Sequence, residues 1–120
     1  PESPRIHNNL AWALAQEGDL DAALTHARKA VELAPDEPRI LDTLGTVLLE
    51  SGDAQAALEH LSKAAENTNR ADIELNYAEA LIAVGRTAEA RRVLTDDTVM
   101  TDLRPRLEKR AEELRRRLDN

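Results

Sequence analysis

Cysteine and phenylalanine are absent from this 120-residue sequence, and other aromatic residues are scarce. Trp12 and Tyr77 are the only tryptophan and tyrosine, and aromatic residues make up 2% of the chain. Without cysteine, the chain forms neither a disulfide framework nor a thiolate metal site. With so few rings, a core must be built from alanine, leucine, isoleucine and valine, which suits closely packed helices.

Long apolar runs and a leader-like N-terminus are missing too. No stretch approaches the roughly 18 apolar residues that a membrane span needs, so we predict no membrane insertion. The first residues lack the basic-then-apolar order of a signal peptide. Since the sequence starts at Pro1 without a methionine, we expect a processed product or a segment of a longer protein. The sequence indicates no particular compartment.

Charge of both signs is plentiful, at 32% of residues with a net charge of −7. This composition is typical of a soluble, helix-rich domain. Arg115, Arg116 and Arg117 form a basic run, but acidic residues lie among the cations of this segment and no aromatic residue is interleaved for base stacking. We therefore predict no nucleic-acid partner.

The sequence repeats itself at intervals of 34 and 33 residues. Three glycines mark the repeat, and an alanine follows each of them five residues later: Gly18 and Ala23, Gly52 and Ala57, Gly85 and Ala90. Apolar residues on both sides of each glycine follow helical spacing. A period in this range is typical of an array of stacked helix pairs, because one pair cannot bury its apolar face alone.

Turn residues set the ends of the predicted helices. In the first pair, Gly18 can adopt the left-handed conformation that ends one helix, and Pro35 prevents continuation of the next. Either Asp19 or Asp21 can cap that second helix.

We predict one all-α domain over residues 1–120. Its helix pairs cover about residues 4–37, 38–70 and 71–100, and a capping helix covers about residues 102–118. Thr101 and Asp102 can cap this last helix. Its single narrow apolar stripe suits the solvating end of an array.

These residues resemble the tetratricopeptide repeat (TPR) family. The first unit has residues at the family's spacing at Leu10, Ala11, Gly18, Ala23, Ala30 and Pro35. The second unit keeps Leu44, Gly45, Gly52, Ala57 and Ala64, and the third keeps Ala78, Gly85 and Ala90 but has Asp97 where a small residue is expected. The resemblance implies a right-handed α-solenoid of three TPR-like helix pairs with a C-terminal capping helix. It also implies a binding scaffold, since the family consists of interaction modules.

A narrower resemblance concerns the strings NNLAW at residues 8–12 and LDTLG at residues 41–45. They are similar to strings in bacterial repeat proteins associated with exopolysaccharide export and protein sorting. This resemblance implies a bacterial source.

In the TPR family, the first helix of each pair lines a concave groove that binds an extended or helical peptide. The resemblance implies groove positions in the first unit at Arg5, Asn8, Asn9, Trp12 and Gln16. The second unit contributes Arg39, Asp42, Thr43, Thr46, Leu49 and Glu50. The third unit contributes Asp72, Leu75, Asn76, Glu79 and Ile82. Such a surface is mixed polar and apolar, as a peptide site should be.

Three of these side chains are candidates for direct contact with a ligand, and each has a structural alternative. Trp12 falls one step past the apolar stripe of its helix, so it can anchor a ligand or fill space near Thr46 and Leu49. Asn9 and Asn76 occupy equivalent places, and an amide can bond a peptide backbone or a neighbouring helix.

The acidic groove residues Asp42, Glu50, Asp72 and Glu79 favour a protein or peptide partner of basic and apolar character. The alternative is an acidic, solvated surface without a special role. A subset of the family clamps the carboxylate tails of chaperones with lysine and asparagine. The corresponding positions here lack the required cations, so we expect no capture of chaperone tails: Asn8, Trp12, Thr43, Asp72 and Asn76.

No pattern for catalysis, a cofactor or a metal ion is present in the sequence. His26 and His60 are equivalents in successive units without a second ligand at i+4, and the three histidines are not expected to form a site. We therefore predict a non-enzymatic scaffold for protein–protein interaction. The alternatives are a structural module that self-associates and an accessory regulatory domain of a larger protein.

Overall fold

The computed structural model describes residues 2–96 and 105–119. Over these ranges the chain forms α1 (Pro4–Gln16), α2 (Leu20–Leu33), α3 (Pro38–Glu50), α4 (Ala54–Glu66), α5 (Ala71–Ala83), α6 (Thr87–Leu94) and α7 (Pro105–Asp119). Neither range contains a β-strand. The helices associate as the pairs α1–α2, α3–α4 and α5–α6, and each pair packs on the next. The predicted all-α solenoid is confirmed.

Each turn inside a pair is made by a glycine. Gly18, Gly52 and Gly85 have φ angles of 85°, 89° and 85°, a region that side chains with a Cβ avoid. After the first turn, the Asp19 carboxylate accepts a hydrogen bond from the Ala22 backbone N–H at 3.3 Å. Asp19 is thus the cap of α2, and Asp21 is not.

Small residues allow the helices to approach closely. The alanines that follow the turn glycines, Ala23, Ala57 and Ala90, are fully buried. At Gly45 in α3, an added Cβ would lie 2.5 Å from Leu61 Cγ in α4. The two helices are therefore closer at this point than an alanine would permit.

The final helix closes one end of the array. On α7, Ala111 and Leu114 are buried in a cluster with Leu75, Ala78 and Leu94 of the third pair. The guanidinium of Arg115 donates from Nε and Nη2 to the Leu94 carbonyl at 3.1 and 2.9 Å. This arginine satisfies a free carbonyl at the end of α6, so the first member of the basic run serves packing.

The predicted capping helix has its counterpart in α7, which is described from Pro105 onward. Its proposed caps, Thr101 and Asp102, lie outside the described residues, as does Asp97. None of the helices in the two described ranges has the length and hydrophobicity needed to cross a bilayer.

Replacing Gly52 tests the turn. No atom lies within 4 Å of a Cβ built on Gly52, so the cost of a side chain is conformational. We expect Gly52→Val to lower the free energy of unfolding by about 1–2 kcal/mol, because a β-branched residue resists a positive φ. Gly52→Asn should cost less, since asparagine tolerates this region. Urea denaturation measures both, and equal stability of the two variants would contradict the assignment.

Candidate functional site

One side of the array is hollow. An open cavity of about 540 Å³, here called the groove, runs across α1, α3, α5 and α7. Its lining combines apolar, amide, hydroxyl and charged side chains: Asn8, Asn9, Trp12, Arg39, Asp42, Thr43, Thr46, Leu49, Glu50, Arg70, Asp72, Ile73, Asn76, Glu79, Arg106, Leu107 and Arg110.

Four of the residues assigned to the groove from sequence lie elsewhere. Arg5 and Gln16 are exposed near the two ends of α1 and do not line the cavity. Leu75 is completely buried beneath α7, and Ile82 packs against the same core. The assignment of Leu75 and Ile82 to the groove surface was wrong, because α7 covers the part of α5 on which these two residues lie.

The floor of the groove corresponds to one repeated position of the first helices, which the buried Leu75 occupies in α5. Asn8, Asp42 and Leu75 are equivalents, separated by 34 and 33 residues along three first helices. The structure buries the Oδ1 atom of Asn8, which has no hydrogen-bond partner in the described part of the chain. Asp42 is partly buried as well. This position faces the next first helix, so it is suited to an apolar residue.

Sequence reasoning missed five lining residues: Arg70, Ile73, Arg106, Leu107 and Arg110. Three of them belong to α7, which the sequence suggested was only a cap. The missed signal is the string Pro-Arg-aliphatic, which occurs at residues 4–6, 38–40 and 105–107. Its recurrence indicates that α7 has the position of a fourth first helix, whose inner face continues the groove.

Trp12 lines the groove together with Thr46 and Leu49. Half of its surface is exposed, at 50%. An indole in this state offers a large rigid apolar face and still has an N–H for a hydrogen bond. The two roles considered for Trp12, ligand anchor and packing near Thr46 and Leu49, therefore refer to the same location, since both neighbours also line the groove.

The two amides that were expected to act alike differ in the structure. Asn76 donates from Nδ2 to Asp42 Oδ1 at 2.7 Å, which joins α5 to α3. Asn9 is exposed on the groove wall. For Asn76 the alternative reading, a bond to a neighbouring helix, is the one observed.

The charges on the groove are balanced. Arg70 donates to both carboxylate oxygens of Asp72 at 3.1 Å, and Arg110 of α7 contacts Glu79 at 3.0 Å. Burial tends to raise the pKa of Asp72, but the hydrogen bonds and charge of Arg70 outweigh it and hold the pKa below its ordinary value. Two of the four acids expected on this surface, Asp72 and Glu79, are thus paired with arginines at the missed positions.

Asp42 is the exception among these acids. Burial raises its pKa to about 6, and the charge of Asp72 adds to the effect. The hydrogen bond from Asn76 and the charges of Arg110 and Arg70 oppose the rise without cancelling it. A carboxyl group near the middle of the groove therefore changes charge close to neutral pH.

Two of the three histidines contact each other. His7 and His26 stack, with their Nδ1 atoms 3.0 Å apart, because the antiparallel pair α1–α2 brings them together. His60 lies apart from them, and burial lowers its pKa. Among the described residues, no group of three or more potential ligands could hold a metal ion.

Two family models of the tetratricopeptide repeat match the sequence, over residues 4–37 and 48–98. The chain is a tetratricopeptide repeat protein. The family predicted from the repeat residues is confirmed, and TPR domains are typically non-enzymatic interaction modules. The narrower resemblance to repeat proteins of exopolysaccharide export and protein sorting stays a prediction.

Solved TPR domains share the fold. The TPR2B domain of yeast Sti1, in a complex with pHsp70, superposes with a TM-score of 0.84 at 18% identity, with 97% of this chain and 95% of that chain covered. The first TPR domain of Spaghetti (RPAP3), bound to the HSP90 peptide SRMEEVD, gives 0.80 at 12% identity, with 98% and 97% covered.

A longer protein contains a similar domain. The structure of O-GlcNAc transferase from Thermobaculum terrenum matches with a TM-score of 0.71 at 22% identity. This chain is covered to 94% and spans 19% of that one. No curated protein sequence gives a significant match.

Asp42→Asn tests the electrostatics of the groove floor. Folded Asp42, with a pKa of about 6 against 3.8 ordinarily, holds its proton to a higher pH than the unfolded chain does. Stability is therefore lost as the pH rises from about 4 to about 6. We expect Asp42→Asn to raise the free energy of unfolding by about 2 kcal/mol at pH 8 and to change it little at pH 4.

Urea denaturation between pH 4 and pH 8 checks this expectation. Glu66→Gln, at an exposed acid on α4, is the matched control and should leave the pH profile unchanged. A gain of stability in Asp42→Asn that is independent of pH would contradict the proposed burial of charge.

Proposed function

We propose that this chain is a non-enzymatic interaction module whose groove binds a peptide or an extended segment of a partner protein. The observation that carries the proposal is the half-exposed Trp12 indole on the groove wall. A large aromatic side chain beside polar groups in a concave surface is the usual anchor of a peptide site. Leu49 adds apolar surface on the same wall, and Asn9 offers an amide to a peptide backbone.

The related structures support this reading. The RPAP3 domain is bound to an HSP90 peptide, and the Sti1 domain is in a complex with pHsp70. The present groove suits a different ligand, since the positions that correspond to a carboxylate clamp lack cations. Of the arginines on its walls, Arg70 and Arg110 are already paired with acids. We propose a partner that brings apolar and basic side chains.

The hydroxyl groups of the groove argue against catalysis. Thr43 and Thr46 donate to carbonyls of their own helix, those of Arg39 and Asp42, at 3.0 and 2.8 Å. A hydroxyl bound in this way has no base to remove its proton. A binding role accounts for the groove without a reactive group.

Truncation of the indole tests the binding surface. Random-sequence dodecapeptides displayed on phage are selected on the wild-type chain, and a selected peptide is titrated by fluorescence anisotropy. We expect Trp12→Ala to raise the dissociation constant about tenfold or more, because the indole supplies the main apolar contact. Leu33→Ala is the control, since Leu33 is 39% exposed and lies outside the groove. Equal affinities of wild type and Trp12→Ala would exclude the groove as the binding surface.

A second candidate function is self-association, and the outer face of α1 favours it. Ile6 and Leu10 are 60% and 42% exposed, whereas their equivalents in α3, Ile40 and Leu44, are 6% and 3% exposed. The preceding pair covers that face of α3, and the face of α1 has no such cover within the described residues.

An antiparallel contact between two copies of α1 would bury Ile6 and Leu10 of both copies. The apolar area is small for a stable dimer, so the association would depend on concentration.

Sedimentation equilibrium tests this candidate. If α1 mediates self-association, the apparent mass rises with concentration from the 13.3 kDa monomer towards the dimer. Leu10→Asp should then restore the monomer mass, because it adds a charge at the centre of the contact. Trp12→Ala, on the groove side, should leave the association unchanged. A monomer mass at all concentrations would contradict this candidate.

A third candidate is an accessory role within a larger protein. Its support is the similarity to one part of the O-GlcNAc transferase chain, of which this domain spans 19%. In that role the groove or the open face of α1 would contact a neighbouring domain.

A further inference from the structure

Asp42 differs from the other partly buried charged residues of the groove in having no partner of opposite charge within the described residues. Its Oδ1 atom accepts the hydrogen bond from Asn76 at 2.7 Å. The two arginines whose charges act on Asp42 are bound elsewhere, since Arg70 is bound to Asp72 and Arg110 to Glu79. Among the described residues, no lysine or arginine forms an ion pair with Asp42.

Because Asp42 is partly buried, the lack of a partner of opposite charge makes its ionised form unfavourable. An ionised carboxylate that has lost part of its hydration is costly unless a charge and hydrogen bonds replace the water. Arg39, Glu50 and Arg106 also line the groove, but they are exposed and keep their hydration. Pairing them with a ligand would therefore gain little. Of the groove's charged side chains, Asp42 gains most from a ligand charge.

We propose that Asp42 is the specificity-determining residue of the groove and binds the side chain of a lysine or arginine in the bound peptide. The inference rests on the proposed peptide-binding function and names the chemistry of the partner. The Asn76 bond holds the carboxylate in place, and Oδ2 is left to accept from the ligand. Apolar residues next to the basic one in the peptide then meet Trp12 and Leu49.

An uncharged donor is a weaker fit for the same position. A backbone N–H or a glutamine amide satisfies a hydrogen bond of Asp42 but leaves its charge uncompensated. A ligand carboxylate is a worse fit, since it would add a like charge beside Asp42 and Asp72. A cationic side chain satisfies both the hydrogen bond and the charge.

The same geometry makes binding depend on pH. The charged groups that face Asp42 are Asp72 on α5, Arg70 just before α5 and Arg110 on α7, and they act in opposite directions. Because the pKa of Asp42 is about 6 in the free chain, most molecules carry it protonated at pH 5. A cation binds only the ionised fraction, so the apparent affinity at pH 5 falls about tenfold relative to pH 8.

Parallel selections test the inference. Random-sequence dodecapeptides displayed on phage are selected at pH 8 on wild type and on Asp42→Asn. The variant keeps the shape of the side chain and an acceptor for Asn76 while it removes the charge. We expect wild type to enrich lysine or arginine at one position next to apolar residues. We expect Asp42→Asn to keep the apolar preference and to lose the basic one.

A double-mutant cycle measures the contact directly. One selected peptide is compared with its analogue in which glutamine replaces the basic residue. The exchange should weaken binding about tenfold or more in wild type and less than about twofold in Asp42→Asn. Glu66→Gln, at an exposed acid on α4 outside the groove, is the matched control and should behave as wild type. The wild-type contrast should also shrink as the pH falls from 8 to 5.

The outcomes separate this inference from the function on which it rests. If wild type selects peptides without a basic position, or if Asp42→Asn keeps the basic preference, Asp42 does not bind a cation, although the groove binds peptides. The same holds if Glu66→Gln loses the contrast between the two peptides. Tolerance of glutamine by wild type leads to the same conclusion. If wild type selects no peptide at all, peptide binding itself fails. Circular dichroism shows whether each variant keeps its helices.

Discussion

Burial of each helix pair against the next is the constraint on which the rest of the molecule depends. A single pair cannot cover its own apolar face, so the fold exists only as a stack. The stack is tight because alanines and Gly45 lie at the contacts between helices, where larger side chains would hold the backbones apart. The first helices consequently form a continuous concave wall, and the groove is a product of the packing.

The same packing sets the cost of a functional residue on the groove floor. Asn8, Asp42 and Leu75 occupy one repeated position, and each faces the next first helix. Leucine satisfies that position fully. The asparagine has a buried oxygen without a hydrogen-bond partner among the described residues, and the aspartate has a raised pKa. Two polar residues at a position suited to an apolar one lower the stability of the stack. They also give the groove floor polar groups that can bind a ligand.

The two ends of the stack are treated differently. At one end α7 stands in the place of a fourth first helix, buries its alanine and leucine stripe, and turns charged residues outwards. It also extends the groove with Arg106 and Arg110. The same helix therefore closes the array and completes the groove wall. At the other end, Ile6 and Leu10 remain exposed on α1. A surface that is covered in every later pair is thus open in the first.

The sequence by itself determined the family, the helix pairs, their glycine turns and most of the groove positions. These follow from local rules, since helical periodicity and turn chemistry act between residues a few positions apart. Only the tertiary structure decided that Leu75 is buried, that Arg110 pairs with Glu79, and that Asn76 binds Asp42. These outcomes depend on residues about 30 or more positions apart that stacking brings into contact, and on burial, which no single helix possesses alone.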